Sequence, residues 1–171
     1  MTTLRPKMSR SRPLFSTCWA RFTQINVPVS DVGKKIGGKV EFNITQGIFV
    51  NACPIRISYV LNRVGVHIPG PASGYSVVSG ADTKWYIFKV KDMIQFLERR
   101  WGKPDKVVRG ATSGPLAGRR GLIVVEGAGW SDASGHVTLW NGTRCQDSCH
   151  LARDPDNGSF TPRSAKLWEL Q

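Results

Sequence analysis

The sequence predicts an α+β fold. Apolar residues recur at helical spacing through roughly the first hundred positions. From residue 122 the pattern changes to short β-rich, alternating segments that run up to an Asn-Gly pair. Helices first and an antiparallel sheet later is the order of an α+β chain rather than of alternating βαβ units. With 171 residues, one domain with a substantial core is expected.

Residues 1–13 read as a disordered basic tail, and residues 14–171 as a single domain. A short helix over 14–24 carries Leu14, Phe15, Cys18, Trp19 and Phe22 on one side, where Cys18 packs. Residues 25–46, with Gly37-Gly38, read as a loop or a short helix. The next stretch, GIFVNACPIRISYVLNRVG, organises the rest. Pro54 suits a first helical position, since the N–H it lacks is not needed there. Ile57, Val60, Leu61 and Val64 then repeat as a buried face, and Gly65 is a plausible cap. Cys53 thus stands at a helix N-terminus, where the dipole and free N–H groups favour a thiolate. A packing cysteine is the competing reading.

Residues 66–84, with Pro, Gly and Ser, read as a long loop, and Trp85 to Phe88 as a short strand or a helix entry. KDMIQFLERRW, 91–101, is a helix with Val90, Ile94, Leu97 and Trp101 inward and Gly102 at its end. Residues 109–121 form a flexible, solvated basic loop without phosphate-loop spacing. Strands follow at 122–126 and 136–140, and LWEL, 167–170, would add an edge strand.

The formal charge of +12 and a pI near 10.1 point to a polyanionic partner, whether nucleic acid, anionic membrane, cell wall or acidic protein. No RNA-binding aromatic signature, helix-turn-helix or zinc-finger spacing is present. No apolar run is long enough for a membrane span, and no signal peptide follows the basic start, so a cytoplasmic product is expected. The sequons at Asn43, Asn141 and Asn157 are then chance matches.

A two-residue Asn141-Gly142 turn would pair Trp140 with Thr143 and, four steps back, His136 with Asp147. Directly opposed residues share a face with Cβ atoms roughly 5 Å apart. Asp147 would then fix the tautomer of His136 and leave its other nitrogen for a partner. His67 and His150 lack such support. Cys145 and Cys149 bracket Asp147 and have three readings. A disulfide would close a small loop around the acid. A zinc site could use His136 and His150, though the spacing is not a usual one. They could also be two packing thiols. The disulfide is favoured.

FSTCWARF, VGKKIGGKVEFN, FVNACPIRISYVLNRVG, WYIFKVKDMIQFLERRWGKPD and GWSDASGHVTLWNG followed by CQDSC resemble type VI secretion amidase effectors of the fourth family, over most of residues 14–170. The resemblance implies a papain-like, NlpC-type cysteine peptidase fold without a cofactor or metal. It implies cleavage of the D-glutamate–meso-diaminopimelate bond in peptidoglycan stem peptides, in the periplasm of a rival bacterium reached through the type VI apparatus. It also implies a cognate immunity protein, acidic and dimeric, that blocks the site. Position by position, Cys53 matches the nucleophile in N-x-C-x-x-R, His136 the base in S-G-H-V-T-L-W, and Asp147 the orienting acid. Cys145–Cys149 resembles a disulfide found near the acid in some members. Pro54 departs from the small residue expected there. Backbone N–H groups at the helix start, that of Cys53 included, would bind the oxyanion. Trp130, Ser131 and Asp132 are candidates for the cleft wall. The rivals are a cysteine hydrolase of another substrate, and a basic nucleic-acid-binding protein with a structural Cys/His zinc site.

Overall fold

The computed structural model describes residues 12–49, 51–131 and 134–171. Five helices occur among them: α1 (Phe15–Ile25), α2 (Val29–Ile36), α3 (Gly38–Thr45), α4 (Cys53–Arg63) and α5 (Val90–Trp101). A hairpin of β1 (Val77–Ser79) and β2 (Trp85–Ile87) stands apart from the main sheet. That sheet is antiparallel, built from β3 (Lys106–Arg109), β4 (Gly121–Ala128), β5 (Gly135–Trp140) and β6 (Thr161–Glu169) in the order β3-β6-β4-β5.

Helix α4 is built as its sequence demands. Pro54 occupies its first turn, Ile55, Ile57, Val60 and Leu61 are buried, and Gly65 follows in the left-handed region at φ 85°. The Val66 N–H reaches back to the Leu61 carbonyl at 2.9 Å, closing the end in the manner of a Schellman turn. Helix α1 buries Phe15, Cys18, Phe22 and Ile25.

Alternation along the sheet divides the apolar residues between two cores. Val124, Val137, Leu139 and Trp168 meet the helices, while Ile123, Val125, Trp140 and Leu167 face a second cluster with Leu116, Phe160 and both half-cystines. Side chains at 136 and 138 share the parity of Trp140 and therefore lie on this second face. Gly135 permits the close pairing of β5 with β4, because a Cβ there would stand 2.6 Å from the Val125 carbonyl oxygen.

Several expectations change. Residues 25–46 hold two helices, divided at Gly37, whose φ of 70° stops α2. The 66–84 segment contains a strand, and β3 lies where no strand was foreseen. The basic loop after it is not wholly solvated, since Ala111 and Leu116 enter the second core. The C-terminal strand runs nine residues and is interior, between β3 and β4, instead of an edge. Pro162 falls where the β4–β6 register shifts, a place that tolerates a missing donor.

Residues 1–11 of the expected tail lie outside the described residues. Arg12, assigned to that tail, is buried. Its guanidinium donates to Asp105 at 2.6 Å, to the Glu169 carbonyl at 2.9 Å and to the Trp101 carbonyl at 3.2 Å, tying together α5, β6 and the turn before β3. Arg12→Ala leaves two carbonyls without that donor, and a loss of about 2 kcal/mol is expected after allowing for the partial exposure of Asp105. Urea unfolding checks this; an unchanged midpoint would refute it.

Candidate active site

Helix α4 packs on β5, an edge strand, and this brings the tip of the helix to the imidazole of His136. Cys53, the first residue of α4, is buried and not disulfide-bonded. Its sulfur lies close enough to the His136 ring to act on that ring's protonation. On the other side, His136 Nε2 lies 2.9 Å from Asp147 Oδ2, leaving Nδ1 for the sulfur. Burial opposes a charge on this imidazole. The neighbouring Cys53 side chain and the hydrogen bond and charge of Asp147 overcome burial and raise the His136 pKa to about 10.

The pairing of His136 with Asp147 does not arise from the expected hairpin. Asn141 builds a wider turn, its side-chain oxygen accepting from the Thr143 and Arg144 N–H groups at 2.9 and 2.8 Å. The bridge therefore links Trp140 to Cys145, not to Thr143, and β5 finds its ladder partner in β4, where Val125 opposes His136. Continued from that bridge, the register sets Thr138 opposite Asp147. Thr138, fully buried, donates its hydroxyl to Asp147 Oδ1 at 2.6 Å. Both carboxylate oxygens are thus engaged, and the acid cannot turn away from the ring. The alternation that places Thr138 on the His136 face was visible in the sequence, but its role was not foreseen.

Two further groups act on Cys53. Its N–H, expected as an open oxyanion donor, is taken by Asn51 Oδ1 at 3.1 Å. An oxyanion would have to displace that carboxamide. Arg56, one turn along α4, donates to the Val27 carbonyl at 2.7 Å. Burial lowers its pKa, and the charges of Asp147 and Cys53 counter the shift, so the guanidinium supplies positive potential beside the sulfur. The other free thiol, Cys18, is pushed up to about 12 by burial and is no nucleophile.

Residues 49–168 match the family model of type VI secretion system amidase effector protein 4, known as Tae4. The chain belongs to that family. Solved structures agree. Tae4 from Salmonella typhimurium, in complex with the immunity protein Tai4 from Enterobacter cloacae, is 53% identical with TM-score 0.90, over 94% of this chain and 100% of that one. Tae4 from Enterobacter cloacae is 52% identical both in complex with Tai4, at TM-score 0.90 over 94% and 99% of the two chains, and alone, at 0.87 over 94% and 98%. No curated protein matches the sequence. The effector is an amidase of type VI secretion with the α+β fold of its relatives, a peptidoglycan hydrolase with a cysteine-type active site.

Around this centre the effector carries an aromatic wall. Trp130 stacks on Phe160 with ring centroids 4.0 Å apart and meets the edge of His150 at 4.7 Å. His150, set aside in the sequence, stands edge-on to His136 at 5.0 Å. Ser131 is exposed beside Trp130, and Asp132 lies outside the described residues. Cys145 and Cys149 form a disulfide across the Asp147 loop, so their sulfurs are unavailable as zinc ligands and that alternative falls. Gln146 anchors the same loop to α1, donating to the Trp19 carbonyl at 2.7 Å and accepting from the Thr23 hydroxyl at 2.9 Å. No described helix is long and apolar enough to cross a membrane.

Proposed function

We propose that residues 14–171 act as one amidase domain that cleaves the bond between D-glutamate and meso-diaminopimelate in peptidoglycan stem peptides, in the periplasm of the cell into which the effector is delivered. The observation that carries the chemistry is the continuous line from the Cys53 sulfur through the His136 ring to Asp147. In this reading Cys53 is the nucleophile, His136 the acid–base group and Asp147 the orienting acid.

The Cys53 thiolate attacks the amide carbonyl, and its electron pair moves onto oxygen. As Asn51 swings aside, the Cys53 N–H is freed to receive that oxyanion. His136 protonates the departing amine, the C–N bond breaks, and an acyl-thioester remains. Water, deprotonated by His136, then attacks the thioester, releases the acid and restores the thiolate beside the protonated ring. Asp147 holds the imidazole at Nε2 throughout, and Thr138 holds Asp147. Trp130, Ser131 and Asp132 serve as a wall for the peptide.

The charge of +12 suits a carboxylate-rich polymer, and equally an acidic inhibitor. Relatives are found in complex with the immunity protein Tai4, and in this reading a cognate immunity protein of that kind, acidic and dimeric, blocks the cleft of the effector. Digestion of purified Gram-negative sacculi tests the reaction. The expected result is a new free amine on diaminopimelate, read by labelling and mass spectrometry. A new amine on any other residue would overturn the bond assigned.

A further inference from the structure

The reaction as written leaves the second imidazole of the site without a task. His150 holds a left-handed backbone conformation, φ 56°, which is strained for a residue with a side chain and clusters at functional sites. The surroundings enforce it. The His150 N–H donates to Ser148 Oγ at 3.3 Å, the next N–H donates to Asp154 Oδ2 at 2.9 Å, and the preceding residue is tied down by the disulfide.

The tautomer is enforced as well. Asn157 Nδ2 donates to the Leu151 carbonyl at 2.8 Å, which fixes the orientation of its carboxamide. Asn157 Oδ1 therefore faces His150 Nδ1, 3.1 Å away, and accepts its N–H. Asp156, 4.0 Å from the same nitrogen, favours a proton there too. Burial and the charge of His136 press the ring toward its neutral form, against weaker opposing effects of Asn157, Asp156 and Asp147. A neutral ring with its proton on Nδ1 presents only a lone pair at Nε2. That nitrogen has no hydrogen-bond partner among the described residues, and it is not a buried orphan. The ring flanks the imidazole that protonates the leaving amine, so it borders the part of the cleft that receives the leaving half of the substrate.

We propose that His150 Nε2 accepts a hydrogen bond from the side-chain amino group of the residue that leaves as the amine, making His150 a specificity-determining contact for a diamino acid. The inference rests on the reading that diaminopimelate supplies that amine. An acceptor-only imidazole discriminates against a leaving residue that lacks a donor, because its lone pair would be desolvated without a partner.

The test uses two synthetic peptides, one with diaminopimelate after γ-linked D-glutamate and one with 2-aminopimelate, which keeps the carboxylate and lacks the side-chain amine. The full-length effector should prefer the first by about tenfold in kcat/KM. In His150→Phe, which preserves the edge-on packing and removes the acceptor, that preference should collapse to near one. His150→Gln, which restores an acceptor, should recover part of it. His150→Gly, which has no side-chain acceptor and adopts positive φ freely, repeats the comparison if the phenylalanine variant does not fold. The rate of iodoacetamide alkylation at Cys53 should be unchanged in every variant, because the triad is intact. Equal losses on both peptides, or an undiminished preference, would overturn the role of His150. Failure of the wild-type effector to cleave at either D-glutamate bond would overturn both the inference and the bond assignment.

Discussion

Cys53→Ala should reduce turnover of sacculi by about 10⁴-fold or more, since no other group at the site can form the acyl intermediate. Cys53 lies at the start of α4, and alanine keeps the helix and its Pro54 first turn. The fold should therefore survive, and circular dichroism and the melting curve should overlay those of the wild type. Iodoacetamide at neutral pH should label the wild type at Cys53 and spare Cys18, whose thiol burial holds at about 12. Muropeptide release measured by chromatography decides the matter. Retained cleavage by the alanine variant, or labelling that falls on Cys18, would remove Cys53 from the mechanism.

Asp147→Ala should cost about 10³-fold, because an imidazole without its orienting acid samples the wrong tautomer and rotamer. Asp147→Asn separates the hydrogen bond from the charge. The Thr138 hydroxyl can reverse its role and accept from the new amide, so a carbonyl oxygen can still face His136 Nε2, and activity should lie between wild type and alanine. The two effects part company in the pH profile. In the wild type the imidazolium is held until pH approaches about 10, so the alkaline limb of kcat/KM should fall there as the ring loses its proton and its pairing with Cys53. Without the Asp147 charge the burial that opposes the imidazolium meets less resistance, and the limb should move to lower pH. A limb that stays in place in both variants would mean that Asp147 acts through folding alone.

The helical half of the molecule was legible where amphipathic spacing and punctuation coincide. Cys53, Pro54 and Gly65 bound α4 within a residue, and the stripe of α5 is as the sequence implies. What was hidden depends on tertiary partners. β6 mixes Arg163, Ser164 and Lys166 with Leu167 and Trp168, and only its two neighbours make it a strand. At the site, Cys53, His136 and Asp147 were named correctly as neighbours, but the route from His136 to Asp147 was misread. An Asn-Gly pair favours a two-residue turn, and here the Asn141 side chain captures two backbone N–H groups and widens it. Long side chains absorbed the shift of register. Thr138 and Asn51 were given no part of their own and His150 was set aside, because their parts depend on which atom each faces, and spacing carries no such information.

The interior position of β6 also has a temporal consequence. During synthesis the ribosome releases β4 and β5, with His136, before the strand that lies beside β4 exists. The sheet that carries the imidazole cannot close until translation has passed Thr161–Glu169, so a prematurely terminated chain leaves a gap through its centre. A ribosome-stalling series should show protease resistance arriving in one late step.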